Sequence, residues 1–121
     1  HLGLTGTRWL VESEVYPERL TARGLEYTRP VAPECAAMNR IIMDELVNGV
    51  ATPEAVRCFQ GVIERMKGEG CDAVILGCTE IPLIMDDSNS PLPTLDSTRL
   101  LARAALRRAV RDAPQQPSTW W

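Results

Sequence analysis

The sequence predicts an α/β fold of three layers, about four parallel strands with helices on both faces, and three features lead to that class. Short apolar runs alternate along the chain with longer amphipathic stretches. One run, Ala73-Val74-Ile75-Leu76, is apolar without interruption between Asp72 and Gly77, the pattern of a strand covered on both faces of a parallel sheet. Runs give way to turns and then to helices, an order that favours right-handed crossovers between parallel strands.

Taken in order, Leu2 to Thr5 is a short apolar strand that ends in Thr5-Gly6-Thr7. A helix follows from about Trp9 to Arg23 and stops at Gly24. Leu25 to Arg29 alternates as a half-buried strand does, and Pro30 and Pro33 mark a loop. Glu34 to Val47 sets Met38, Ile41, Ile42 and Leu46 on one helical face, ended by Gly49. Thr52-Pro53-Glu54 is an N-cap followed by a first-turn proline. The helix it opens carries Val56, Phe59, Val62, Ile63 and Met66 at helical spacing and stops at Gly68. After the strand at Ala73, Thr79 is placed to cap a short helix with Pro82 in its first turn. Leu92 to Leu95 is a last strand, leading through Asp96 into a helix from about Ser97 to Val110. The Pro- and Gln-rich stretch 113–121 reads as a disordered tail.

Bulk properties narrow the function. With 121 residues and 45% hydrophobic content, the chain has the length and apolar material of one domain. Its net charge of −3 is interleaved along the helices and leaves no cationic stripe, so nucleic acid is not an expected partner. No apolar run approaches the ~20 residues that span a bilayer, so no membrane association is expected. The start has no basic region followed by an apolar region and cleavage site. The reading is a cytoplasmic protein. His1-Leu2-Gly3-Leu4 enters a buried strand at once without an initiator Met, as a chain cut from something longer would. Cys35, Cys58, Cys71 and Cys78 lack metal-ligand spacing, and the only histidine is His1, so no metal site is expected and the thiols read as reduced.

In a parallel sheet, ligands bind beyond the carboxyl ends of the strands. Both Thr5-Gly6-Thr7 and Cys78-Thr79-Glu80 fall at such ends. A thiol that follows a strand and opens a helix lies at the positive end of the helix dipole, an environment that lowers a cysteine pKa from its usual ~8.5. Such a thiolate can be a nucleophile, a redox group or a general base. With no histidine nearby in sequence, a Cys-His pair is disfavoured. Thr5 and Thr7 offer hydroxyls, and Gly6 lets a carboxylate approach the backbone closely. The turn suits an anion.

The stretch Gly70-Cys71-Asp72-Ala73-Val74-Ile75-Leu76-Gly77-Cys78-Thr79-Glu80-Ile81-Pro82 resembles the second-cysteine motif of the aspartate/glutamate racemase family. Leu4-Thr5-Gly6-Thr7-Arg8 looks like the strand and turn that begin the second domain of that family. Asn39-Arg40-Ile41-Ile42-Met43-Asp44-Glu45-Leu46 is similar to its central helix, and Pro91-Leu92-Pro93-Thr94-Leu95-Asp96-Ser97-Thr98 to the segment opening its final helix. The resemblance covers about residues 2 to 110 and makes 1–112 a second, C-terminal racemase-like domain whose first domain is absent.

What the resemblance implies is racemisation of an amino acid without pyridoxal phosphate or any other cofactor. One cysteine removes the α-proton from one face while a second, from the other half, delivers a proton to the opposite face. By the same resemblance Cys78 is one of these catalytic thiols, Thr79 holds the substrate, and Thr5, Gly6 and Thr7 bind its α-carboxylate. Glu80 either contributes to the same site or only caps the helix. The implied partners are a small amino-acid substrate and the missing N-terminal domain, and a homodimer is compatible with both. Many relatives carry Thr and Met where this chain has Leu10 and Val11, and some aspartate-specific members carry a lysine where it has Val47. The resemblance therefore does not name the amino acid.

Simpler readings stand beside these. Cys35, Cys58 and Cys71 read as packing residues, and Arg103, Arg107, Arg108 and Arg111 as a solvated helix face. A dinucleotide site is disfavoured, because Gly3 to Gly6 lacks the fuller glycine pattern. Within enzymes the rival is a related decarboxylase or isomerase of dicarboxylates that uses one cysteine. From another class, the rival is a non-catalytic α/β binding module.

Overall fold

The computed structural model describes residues 1–111; the tail expected at 113–121 lies outside the described residues. Four parallel strands form one sheet in the order β2-β1-β3-β4, with β1 at Leu2–Thr5, β2 at Tyr27–Thr28, β3 at Ala73–Leu76 and β4 at Thr94–Asp96. The α/β class, the parallel sheet and the flanking helices are as the sequence predicts.

Beyond β1, the helix expected from Trp9 to Arg23 is two helices, α1 (Arg8–Glu12) and α2 (Val15–Thr21). The break has a physical cause in its own side chains and in a tether from β2. The Ser13 hydroxyl donates to the Leu10 carbonyl at 2.7 Å, and Arg29, just past β2, donates to the Ser13 carbonyl at 3.1 Å and to Glu14 at 2.7 Å. The Ser13 carbonyl has no ladder partner in any case, because the residue four further on is Pro17, which has no amide hydrogen and crowds that carbonyl. The same tether bends the chain away after Thr28, so β2 has two residues rather than the expected five.

The next helix, α3 (Ala32–Arg40), continues as a π segment at Ile41–Glu45 and a 3-10 turn at Leu46–Asn48. Pro33 lies inside the first turn of α3 instead of in a loop, a place where its missing N–H costs nothing. Gly49 ends the run at φ 74°, where a side chain would be strained. Helix α4 (Pro53–Gly68) begins as predicted, the Thr52 hydroxyl accepting from the Ala55 amide at 3.0 Å. Helix α5 (Ser97–Arg111) closes the described chain.

Most of the core lies on one face of the sheet. Met38, Ile41, Ile42 and Leu46 from the α3 run and Phe59, Val62, Ile63 and Met66 from α4 pack there on Val74 and Leu76. Gly3 makes room for α4, since a Cβ at that position would stand 2.6 Å from the Met66 sulfur. The opposite face is thinner: Leu4, Ile75 and Leu20 of α2, flanked by half-buried Leu2, Tyr16, Tyr27 and Leu95. Helix α5 buries none of its residues; Leu100, Leu101, Leu106 and Val110 are all exposed, Leu101 by 71%.

Helices α3 and α4 are clamped by a forked pair in which Arg65 donates to both oxygens of Glu34, at 2.6 and 2.7 Å. Burial pushes the Glu34 carboxyl up, but the Arg65 bonds and a third from the Val31 amide outweigh it, leaving the carboxyl below its ordinary value. A depressed carboxylate pKa contributes stability above the unfolded value, and that contribution is lost as pH falls through the folded one. Glu34→Gln is therefore expected to cost roughly 2 kcal/mol at neutral pH, between the worth of an exposed pair and a buried one. Its urea midpoint should also fall less steeply than that of the parent below pH ~4.5. Parallel curves for the two proteins across that range would refute the clamp.

Candidate active site

The ends of β1 and β3 lie side by side, Thr5 in register with Leu76, and the chain leaves both strands at the same carboxyl edge. Thr5-Gly6-Thr7 and Gly77-Cys78-Thr79 are thus neighbouring turns, joined by a hydrogen bond from the Gly77 amide to the Thr5 carbonyl at 2.9 Å. A Cβ on Gly77 would stand 2.7 Å from that same oxygen, so the close approach requires glycine. Leu10 of α1 covers the junction, packing on Gly77 and lying 2.8 Å from where a Cβ on Gly6 would be.

The predicted site residues differ in what they offer. Thr5 is buried, and its hydroxyl donates to the Ile75 carbonyl at 2.7 Å, so this oxygen is engaged by the sheet and a ligand would meet the backbone instead. Gly6 is buried and Thr7 half-buried. Cys78 is half-buried and rests against the larger core. Thr79 is exposed, and its hydroxyl donates to Glu80 at 3.0 Å.

The short helix expected after Cys78 is a single 3-10 turn, Ile81–Leu83, with Glu80 at its cap position and no capping by a side chain. Thr79 therefore does not cap it. The helix dipole invoked for Cys78 also loses its basis, because one 3-10 turn opening three residues further on aligns few peptide units. What stops the helix is a set of local bonds. Asn89 donates to the Ile84 carbonyl at 2.8 Å and accepts from the Asp86 amide at 2.9 Å, while Asp86 accepts from the Ser88 amide at 2.8 Å.

Other residues reach this edge that the sequence did not single out. Asn39 of α3 accepts the Arg8 amide at 3.0 Å, just past the first turn. The Ser97 hydroxyl donates to the Leu76 carbonyl at 2.8 Å, and Asp96 accepts the Thr98 and Arg99 amides, which ties the start of α5 to the end of β3. Asp96 was legible as an acidic N-cap ahead of a helical pattern; nothing local marks Asn39.

A cavity of about 460 Å³ runs between α1 and α3, lined by Arg8, Glu12, Cys35, Asn39, Arg40 and Asp44 among others. A second, of about 500 Å³, is lined from the ends of β3 and β4 by Leu76, Asp86, Asp96 and Arg103 among others. Cys78 lines neither. The four cysteines are free thiols, and burial pushes Cys35 and Cys58 up from the ordinary thiol value. Among the described residues no group of three or more His, Cys, Asp or Glu side chains could hold a metal ion, and no helix is long and apolar enough to cross a membrane.

Comparison with known proteins sets this edge in context. The chain is 30% identical over 96 residues, 79% of its length, to a glutamate racemase from Hydrogenobaculum sp. (strain Y04AAS1), of which it covers 35%. It superposes with a TM-score of 0.85 at 34% identity on a candidate Asp/Glu racemase from Yersinia pestis, over 90% of this chain and 48% of that one. For an aspartate racemase homologue from Pyrococcus horikoshii OT3 the TM-score is 0.81 at 30% identity, over 89% and 47%. The Picrophilus torridus aspartate racemase, at 24% identity and a TM-score of 0.68, shares the fold. The chain thus spans about half the length of these solved structures and about a third of the glutamate racemase. Residues 1–105 match the Asp/Glu/Hydantoin racemase model, and the chain belongs to that family.

Proposed function

We propose that the chain is one half of a cofactor-independent amino-acid racemase in which Cys78 is one of two acid/base thiols. The observation that carries this reading is the register of β1 on β3, which sets the Thr5-Gly6-Thr7 turn against the turn bearing Cys78. In the proposed site the α-carboxylate meets the Gly6 backbone and the Thr7 hydroxyl. Thr5 fixes the turn through its bond to Ile75. Thr79 and Glu80, bonded to each other, border the thiol.

Cys78 as thiolate removes the α-proton from one face of the substrate. A base on one side of a planar carbanion tends to return the proton to the side it left, so inversion needs an acid across the plane. No second thiol stands beside Cys78 at this edge among the described residues, and the acid is supplied by the half that the relatives carry and this chain does not span. That half also covers the apolar side of α5, where Leu101 and Leu106 are exposed.

The test is circular dichroism of L- and D-glutamate, aspartate and a panel of other amino acids in deuterated water. The chain completed by its missing half is expected to racemise an acidic or otherwise polar amino acid without added pyridoxal phosphate, and the chain alone is not. Racemisation by the chain alone, or a requirement for pyridoxal phosphate, would overturn the proposal.

A further inference from the structure

The peptide that joins Leu76 to Gly77 closes β3, and the chain passes from it straight into Cys78. Both of its polar groups are tied, from opposite sides of the strand. The Gly77 amide donates to the Thr5 carbonyl of β1 at 2.9 Å, and the Leu76 carbonyl accepts the hydroxyl of Ser97, just past β4, at 2.8 Å. One residue earlier, the Ile75 carbonyl accepts the Thr5 hydroxyl at 2.7 Å. A planar peptide held at one edge still swings about the bonds to its two Cα atoms; held at both edges, it does not. The second hold matters here, because the swing would be taken up at Gly77, which has no side chain to restrict it.

The Ser97 hydroxyl is not used up by its own helix. Asp96 stands ahead of α5, and its carboxylate accepts the Thr98 and Arg99 amides at 3.0 and 3.2 Å, so the helix already has its cap. Ser97 is half-buried, whereas every later residue of α5 is exposed. Its partner Leu76 is buried, and Cys78, two residues on, is half-buried against the larger core.

We infer that Ser97 is a positioning residue: by holding the Leu76 carbonyl it fixes the Leu76–Gly77 peptide, and with it the direction in which Cys78 leaves the sheet edge. The inference rests on the proposed role of Cys78. It adds that the aim of this thiol is set from the β4 side as well as from β1, by a hydroxyl that acts only through the peptide between them.

Ser97→Ala and Ser97→Thr, which keeps the hydroxyl, test it with two readouts. In the chain itself, NMR hydrogen exchange and residual dipolar couplings report the peptide directly. Ser97→Ala is expected to speed exchange of the Gly77 amide about fivefold, the scale of one hydrogen bond, and to shift the couplings of the Gly77 and Cys78 amides. The Val74 amide, bonded to the Pro93 carbonyl at 2.9 Å further back along β3, should keep its parental rate. In the enzyme completed by its missing half, at temperatures well below each Tm, Ser97→Ala should lower kcat about tenfold, within the ~100-fold that a 1 Å misplacement can cost. KM should stay unchanged, and Ser97→Thr should restore both readouts. A serine that only anchors α5 would change Tm and the α5 amides and leave Gly77, Cys78 and kcat alone. That result, or a loss that Ser97→Thr does not restore, would overturn the inference. Absence of racemisation by the parent enzyme would sink the racemase reading instead, and the exchange and coupling data would still decide whether Ser97 holds the turn.

Discussion

Gly77→Val is expected to destabilise the chain by about 3 kcal/mol, at the upper end of what overpacking costs. The Cβ would meet the Thr5 carbonyl at 2.7 Å and Leu10 on the other side. The Leu10 methyl, at the end of a flexible side chain, can turn aside, but the Thr5 backbone cannot. The Thr5 carbonyl already accepts the Gly77 amide at 2.9 Å, and the Thr5 hydroxyl holds the same residue to Ile75. The ends of β1 and β3 must therefore splay, which separates the two turns and removes activity from the completed enzyme. Gly61 supplies the control. It is exposed on α4 with nothing within 4 Å of a Cβ, so Gly61→Ala should stabilise by up to about 1 kcal/mol through helix propensity. Urea unfolding of the two variants would measure both, and an unchanged midpoint for Gly77→Val would mean that the turns are not packed as described.

For chemistry, the largest effect is expected at Cys78. In the completed enzyme Cys78→Ser should lower turnover by about 10³-fold, the usual scale for losing a positioned acid/base group. Cys58→Ser is the matched control, since Cys58 is also half-buried and packed on the same core. Burial pushes the Cys58 thiol up, and Glu34 and Glu45 push it further against the opposing effect of Arg40, so it stays a protonated packing residue. Initial rates of racemisation, with Tm measured for each variant, separate the two. Equal losses from both serines would remove the special role of Cys78.

Elements whose signals are local were legible in the sequence. The strand Ala73–Leu76 lies between Asp72 and Gly77 as its uninterrupted apolar run requires, and α4 starts at the Thr52-Pro53 cap. What the sequence did not carry were bonds made across the fold. The break at Ser13 was legible at Pro17, but the bond that fixes its geometry comes from Arg29, sixteen residues away, just past the short β2. The π segment in the α3 run keeps Ile41 and Ile42 buried and so leaves the apolar pattern unbroken. At the site, strand-end placement was readable from the order of elements, but the direction of each side chain was not. Thr5 was a carboxylate candidate by position, and only the register with Ile75 reveals where its hydroxyl goes. Thr79 had the composition of a cap, and the Asp86-Ser88-Asn89 network displaces the helix it would have capped.

The strand order has a consequence for how the chain reaches this structure. β1 is an inner strand, yet its partner on the β3 side is far along the chain: the Thr5–Ile75 bond spans 70 residues. Loop-closure entropy must be met before such a pairing yields anything, so this is a high-contact-order fold and a slow one for its size. During synthesis, at roughly 5–20 residues per second, Leu2–Thr5 emerges before the other three strands of this sheet and stays unpaired on that edge until Ala73–Leu76 has left the ribosome. The site is then assembled late, because its two turns exist as neighbours only once β1 and β3 have zipped.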